Sequence, residues 1–289
     1  EVIRLKQKRL KTALTSLMKI VNNGKWKLIY STLNHFNLIL PLLVFNKKKI
    51  TLICRESILP ITYYKSLGNF GKLLIIYYKY IMKFYDKVIV QSNDMLKEVN
   101  KLEITKTVKI NNPSPNYAQG KEIGNQNDFI YVARWHDQKN YELLIEFWKW
   151  KQKFKNDYSN LLCVGVGDLA GKLNENHKKF NMTFIDKDSN IEKLLNDSSY
   201  YINFSKYEGF SNSILEALSS GLPVFALDFS GGKEELLNDS NSMVTKVKSL
   251  NASEDDFEEI FNLFIKFKGN KWNRKKIKID TDNEFMIES

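Results

Sequence analysis

The stretch YEGFSNSILEALSSGLPV, Tyr207–Val224, says more about the fold than any other part of the chain. It reads as a turn, a helix and the start of a strand. Ser211 is placed to cap the helix, Gly221 to end it, and Pro223 prevents its continuation. The apolar run YYINF, Tyr200–Phe204, precedes it and reads as a strand. The turn holding Glu208 and Gly209 then sits at a strand's carboxyl end, where open α/β sheets bind ligands. Backbone N–H groups around Gly209–Ser213 lie near a helix N-terminus, a ready anion site. Glu208 in the turn and Glu216 one turn into the helix can flank one ligand. Carboxylates accept hydroxyl hydrogen bonds, which suits sugar or ribose recognition. A capping acid and a solvated helical Glu would give the same letters.

Outward from this stretch the chain alternates strands and helices, the pattern of a parallel α/β protein. Upstream, strands are expected at Phe129–Ala133, Leu161–Val166 and Thr183–Ile185, with helices at Tyr141–Phe154, Ala170–Lys178 and Ile191–Asn196. Downstream, Pro223–Leu227 reads as a strand and Lys233–Leu237 as a helix. A helix over 251–270 gives way to a basic, then polar tail. Before a polar linker at 111–128 lies a shorter set: a basic amphipathic helix over 1–21, strands at Leu28–Ser31, Lys49–Cys54, Lys87–Gln91 and Thr107–Ile110, and helices at Asn37–Phe45, 70–84 and Asp94–Asn100. The expected division is 1–115, 125–250 and a C-terminal helix and tail over 251–289.

Three further turns carry chemistry. In ARWHDQKNY, Ala133–Tyr141, Arg134 and Lys139 lie in a strand-to-helix loop and can clamp a diphosphate, Arg as a planar fork and Lys as a point charge. Alone they are also two surface cations. In LLCVGVGDLAGK, Gly165 and Gly167 follow a strand, but Gly171 comes one position late for a dinucleotide fingerprint. This reads as a tight turn that approaches a ligand. In SGGKEE, Gly231 and Gly232 open a short helix and bring backbone close to a ligand, or form an ordinary turn.

The 289 residues allow two domains, and 43% apolar content excludes wholesale disorder. Only Cys54 and Cys163 are present, too few for a disulfide framework or a thiolate zinc site, and a reducing compartment fits. The longest apolar run, Phe36–Phe45, is interrupted by Asn37 and Pro41 and is too short to span a bilayer. The net charge of +11 is uneven. Clusters over 1–27, at Lys65, Lys72, Lys79, Lys83 and Lys87, and over 266–278 suit an anionic membrane surface, nucleic acid or a phosphorylated substrate. No RNP, helix-turn-helix or zinc pattern appears, which argues against nucleic acid.

Taken together, the Arg134/Lys139 loop, the Gly165/Gly167 turn, the Glu208/Glu216 pair spaced E-x7-E, Gly221/Pro223/Val224 and the Gly231/Gly232 turn resemble the C-terminal domain of glycosyltransferase family 4. The resemblance covers about residues 86–240. It implies a GT-B-like α/β fold: two Rossmann-like domains facing a cleft, the N-terminal one incomplete because its opening strand and glycine-rich loop are not found. It implies a hexosyltransferase-type enzyme, retaining and metal-independent, that uses a UDP- or GDP-sugar as substrate and needs no cofactor. By the same resemblance Arg134, Lys139 and Glu208 are catalytic. Gly209, Phe210, Ser211, Glu216 and Gly167 bind the donor, and the segment near Ile185–Lys187 meets the base. His35 and Arg55 are candidates on the acceptor side. The implied acceptor is a glycan or a polyprenyl-linked glycan of surface polysaccharide synthesis, such as lipopolysaccharide or capsule. The implied location is cytoplasmic, peripheral on the inner face of the membrane. A truncated, non-catalytic sugar-nucleotide-binding remnant is the alternative.

Overall fold

Parallel strands joined by helices make up the computed structural model, which describes residues 10–24, 26–45, 49–119, 128–186 and 190–286. The chain divides into two units, Glu1–Asn111 and Asn112–Ser289.

The second unit holds a six-stranded sheet. Its strands are β5 (Asp128–Val132), β6 (Asn160–Val164), β7 (Met182–Ile185), β8 (Tyr200–Asn203), β9 (Val224–Asp228) and β10 (Ser242–Lys248), in the order β10-β9-β8-β5-β6-β7. Every pairing is parallel. The chain runs outward from β5 through β6 and β7, then returns to β5's other side and runs outward through β8, β9 and β10. The order therefore reverses between β5 and β8, and in such sheets the crevice lies at that switch point, beyond the carboxyl ends of the two strands.

The central strands are apolar except at their ends, because helices cover both faces. Phe129 of β5 stacks on Phe264 (centroids 4.9 Å apart) and meets Trp148 edge-on at 5.5 Å. Trp148 belongs to α7 (Tyr141–Lys155), whose inward face also buries Leu144, Phe147 and Lys151. Phe264 belongs to α12 (Phe257–Gly269). Lys151 is buried beside the Trp148 ring, 3.9 Å from its centroid, and its charge is met by Asp157 at 2.6 Å. Burial pushes the Lys151 ammonium down to about 8 despite the opposing pull of Asp157. Strand β10 was not expected. Its polar alternation at a sheet edge carries only a weak apolar signal.

The expected polar tail is a helix. Residues Arg274–Phe285 form α13, and its inward residues Arg274, Ile277, Thr281 and Phe285 recur at helical spacing. Two of the four are polar, so apolar periodicity did not reveal the helix. It is held by the burial of Ile277 and Phe285 in the core and by hydrogen bonds to the ends of neighbouring helices, chiefly α10 (Asn212–Ser219), the helix of the opening stretch. The buried Arg274 guanidinium donates to Ser198 O (3.1 Å) and Ser220 O (3.2 Å), and Lys278 Nζ donates to Ser219 O at 3.2 Å. Two cations thus meet carbonyls at the carboxyl end of α10, where orphan acceptors and the helix dipole favour them. Gly221 is required here. Its φ is +76°, and a Cβ would stand 2.5 Å from Arg274 O. At the other end of the unit, residues 112–119 are bonded in: Ser114 N donates to Phe285 O (2.9 Å) and Ala118 N to Glu192 Oε1 (2.7 Å).

The first unit has a four-stranded parallel sheet, β1 (Leu28–Ser31), β2 (Thr51–Arg55), β3 (Lys87–Val90) and β4 (Thr107–Lys109), in that order. Helix α1 covers Leu10–Asn23, so the expected helix is described from residue 10 onward. The single helix expected over 37–45 is two short ones, α2 (Asn34–Asn37) and α3 (Leu40–Leu43). Pro41 sits in the first turn of α3, where its missing N–H costs nothing, and it would break a continuous ladder. Asn37 is buried at the break. Its amide donates to Glu56 Oε1 (2.7 Å) and Arg55 O (3.1 Å), its Oδ1 accepts from the Ser31 hydroxyl, and its carbonyl accepts from Tyr85 Oη at 2.8 Å. One side chain so joins the turn after β1 to the end of β2. Beyond these lie α4 (Pro60–Ser66), α5 (Gly68–Met82) and α6 (Asn93–Lys101).

Two stability predictions follow from these contacts. Arg274→Ala strands two buried carbonyls, and thermal denaturation should show a loss of roughly 2–4 kcal/mol; a change within a few tenths would refute the capping role. Glu56 is fully buried, its Oε2 has no partner among the described residues, and desolvation raises its carboxyl to about 7 despite the Asn37 bond. A folded-state value above the unfolded one means that this stability is present below about pH 4 and lost as pH rises through about 7. Urea midpoints of the first unit should therefore fall between about pH 5 and about pH 8, on the order of 3 kcal/mol in all, and Glu56→Gln should flatten the curve.

Candidate active site

The site is built where the sheet order reverses. After β5 the chain makes a loop, Ala133–Asn140, ending in a short 3-10 turn over Asp137–Lys139. Asn140 takes a left-handed conformation (φ +53°) before α7 begins, which Asn tolerates better than most residues. Tyr131 anchors the loop from beneath. Its buried hydroxyl donates to Lys139 O at 2.7 Å and lies 3.1 Å from Ser205 Oγ, beyond the end of β8. Tyr141 Oη donates to Ala133 O at 2.6 Å, holding the loop's other end.

After β8 the chain makes the second loop, Phe204–Ser211. It is tied to the first by Lys206 N, which donates to Gln138 O at 2.8 Å, and by Lys206 Nζ, 2.6 Å from Asp137 Oδ1. These ties bring Lys139 and Glu208 together. Lys139 Nζ donates to Glu208 Oε1 at 2.5 Å, and the two side chains are 20% and 7% exposed. Gln138 was not singled out from the sequence, yet its Nε2 donates to Tyr207 O at 2.7 Å and lies 3.5 Å from Glu208 Oε2. A lone polar residue inside a charged loop gave no signal.

The turn at Glu208 is backed by the Gly231 turn, where Tyr207 and Ser230 bridge in parallel. Glu208 N donates to Ser230 O at 2.8 Å. Gly231 has φ +100°, and a Cβ there would stand 1.7 Å from Glu208 O. Gly232 packs in the same way on Phe210. The two glycines of SGGKEE are thus spacers behind the turn. On the other side, Gly165 (φ +100°) presses against the Arg134 loop, since a Cβ would meet Ala133 O at 2.8 Å. Gly167 has a positive φ with open space beside it.

Ser211 is the N-cap residue of α10, but its side chain makes no cap hydrogen bond and lies 3.3 Å from Ser213 Oγ instead. The first-turn N–H groups of a helix have no intrahelical acceptor and remain available to an anion. Phe210 is buried and meets Phe285 edge-on at 5.9 Å, so its ring is part of the core and only its backbone faces the turn's chemistry. Glu216 is half-buried on α10, and desolvation raises its carboxyl above the usual range. Both Glu208 and Glu216 act on the buried phenol of Tyr201, which burial first and then these carboxylates push up. Arg134 is exposed on the first loop and makes no ion pair among the described residues. A cavity of about 220 Å³ lies beside this loop, lined by Trp135, His136, Asp137, Asn140, Tyr141 and Glu142.

The remaining candidates are placed as follows. Ile185 ends β7, and Lys187, at the expected base contact, lies outside the described residues. In the first unit, exposed His35 sits on α2, just past the carboxyl end of β1, and Arg55 ends β2. Asn37 brings these two segments to the same end of that sheet. Cys54 and Cys163 are both buried free thiols. No helix among the described residues is long and apolar enough to cross a membrane.

The family model for glycosyl transferases group 1 matches residues 114–274, more than half of the chain. An uncharacterized glycosyltransferase of Methanocaldococcus jannaschii is 30% identical over 250 residues, covering 76% of this chain and 60% of that protein. The amylovoran biosynthesis glycosyltransferase AmsD of Erwinia amylovora is 30% identical over 125 residues, 41% of this chain and 34% of that protein. The chain thus spans less than two thirds of both. The structure of Anabaena HepE, solved in complex with UDP-glucose, has a TM-score of 0.72 at 15% identity, covering 94% of this chain and 78% of that one. That likeness is one of fold, and the fold is GT-B. With the family model spanning both loops and the helix between Glu208 and Gly221, the chain belongs to the group 1 glycosyl transferases.

Proposed function

We propose that the protein transfers a hexosyl group, with retention at the anomeric carbon, from a nucleotide sugar to a glycan or lipid-linked glycan acceptor in surface polysaccharide synthesis. The observation that carries this reading is the Lys139–Glu208 pair at the switch point of the sheet. A cation and a carboxylate, held side by side and largely buried, match the two ends of a sugar diphosphate. On this reading the diphosphate takes Lys139 from Glu208, and the freed carboxylate accepts hydrogen bonds from sugar hydroxyls. Exchanging partners in place avoids leaving either charge buried and alone, which would cost several kcal/mol.

Arg134, exposed on the same loop as Lys139, supplies the second positive charge. The bond from the anomeric carbon to the phosphate oxygen breaks and a bond to the acceptor oxygen forms. The acceptor's proton leaves with the departing phosphate. Negative charge therefore grows on the diphosphate in the transition state, where Arg134, Lys139 and the N–H groups of the first turn of α10 act on it. Glu216 binds the ribose hydroxyls, and the backbone of Gly209, Ser211 and Gly167 supports the phosphate and sugar. His35 and Arg55 serve the acceptor. The AmsD relative supports the polysaccharide setting, and the HepE likeness supports a nucleotide-sugar donor. The reaction needs no metal and no cofactor, and it takes place on the cytoplasmic side of the membrane.

Calorimetric titration with UDP- and GDP-sugars should give saturable binding of one of them, lost in Lys139→Ala. Turnover by Arg134→Ala and by Lys139→Ala should each fall about 10²-fold or more, the usual worth of a transition-state donor. Near wild-type rates would remove the diphosphate role, and binding without turnover in the parent chain would favour a non-catalytic binder. Turnover should also survive excess chelator, and a large loss restored by a divalent ion would refute the metal-free chemistry.

A further inference from the structure

Helix α5 is apolar on both sides. Its inner face buries Gly71, Tyr78, Ile81 and Met82. A soluble surface helix ordinarily turns a polar face to water. Here Leu73 is 64% exposed, Ile76 55% and Tyr80 60%, and Phe84, in the turn just past the helix, 50%. At about 100° per residue these positions fall on a single stripe roughly 80° wide, opposite the buried face. Lys72, Lys79 and Lys83 form a ridge along one edge of the stripe, within roughly 40° of arc. We propose that this outer face of α5 is a docking surface for an anionic lipid bilayer.

The charge around the stripe selects the partner. Residues 61–87 contain five lysines and one acid, Asp86. Asp86 is engaged in the fold, its carboxylate accepting from Leu52 N at 2.8 Å. Of the ridge, Lys79 is paired with Glu103 at 2.8 Å, whereas Lys72 is exposed and Lys83 lies over the Tyr80 ring, 5.6 Å from its centroid. Long lysine stems flanking aliphatic and aromatic side chains suit the bilayer interface, where rings sit at headgroup level and ammonium groups reach the phosphates. A second copy of the chain fits less well. A two-fold contact sets like patches face to face, which would oppose the lysine ridges, and lysine is depleted from the centres of protein interfaces. The inference gives the membrane-side location proposed above a specific surface. That surface lies in the first unit, and the donor site in the second.

The test uses the whole chain with vesicles of phosphatidylcholine alone or mixed with phosphatidylglycerol. Because Cys54 and Cys163 are buried, Ile76→Cys supplies the accessible thiol for an environment-sensitive dye. The dye should brighten and shift to the blue with the anionic vesicles and stay unchanged with the neutral ones. Each lysine near an anionic surface raises partitioning roughly fivefold, so Lys72→Glu with Lys83→Glu should weaken vesicle binding by about tenfold or more, and added salt should do likewise. Leu73→Ser with Tyr80→Ser should weaken it similarly, with thermal stability and nucleotide-sugar binding unchanged. The proposal falls if the chain does not bind anionic vesicles, or if it binds while the dye at position 76 stays in water. It falls equally if the dye shifts with protein concentration in the absence of vesicles, which would make the stripe a contact between copies. Loss of nucleotide-sugar binding in the parent chain would count against the transfer reading alone.

Discussion

Lys139 and Glu208 stand 2.5 Å apart at the carboxyl ends of two adjacent central strands, and much of the second unit serves to keep them there. Neither charge would be tolerated alone at that depth. The pairing therefore constrains both loops. Tyr131 fixes the Lys139 backbone from below, Gln138 fixes the Tyr207 carbonyl, and Lys206 ties the second loop back to the first. Gly231 lets the next turn press against the Glu208 carbonyl at a distance no side chain would allow. Loops tied this way hold both charges in register without help from any ligand.

Helix α10 extends this constraint outward. Its N-terminal turn and Glu216 face the proposed donor, and its carboxyl end is closed by Arg274 and Lys278 of α13. The position of Glu216 thus depends on residues more than fifty positions along the chain. Gly221 sits at the crossing, with the Arg274 carbonyl where its Cβ would be. The glycine of the G-x-P-V piece consequently serves packing between α10 and α13.

The first unit solves a different problem. Asn37 joins the turn after β1 to the end of β2 by two hydrogen bonds, one of them to a fully buried carboxyl, and two more tie it to Ser31 and Tyr85. That carboxyl, Glu56, lies near Cys54, Tyr64 and Tyr78, whose acidic groups burial first and then its charge push upward. This end of the sheet carries His35 and Arg55, so a polar knot fixes the backbone of both candidate acceptor-side residues. On the same unit, α5 turns a second apolar face outward, which no stability argument explains.

By itself the sequence determined the alternation of strands and helices, the turns at 134–139 and 208–216, and the glycines that punctuate them. These are local properties. Apolar runs, caps and left-handed positions act within a few residues, so they can be read without a partner. Only the tertiary structure decided the rest. It showed α13, whose inward stripe is half polar and which is held by helix-end carbonyls as well as by the burial of Ile277 and Phe285. It showed β10, whose pairing with β9 is invisible without the neighbouring strand. It split the expected helix over 37–45, where Pro41 cannot donate to a continuous ladder and the buried amide of Asn37 bonds partners nearly twenty residues away. And it placed Lys139 against Glu208, sixty-nine positions apart, because the reversal of strand order brings the ends of β5 and β8 side by side.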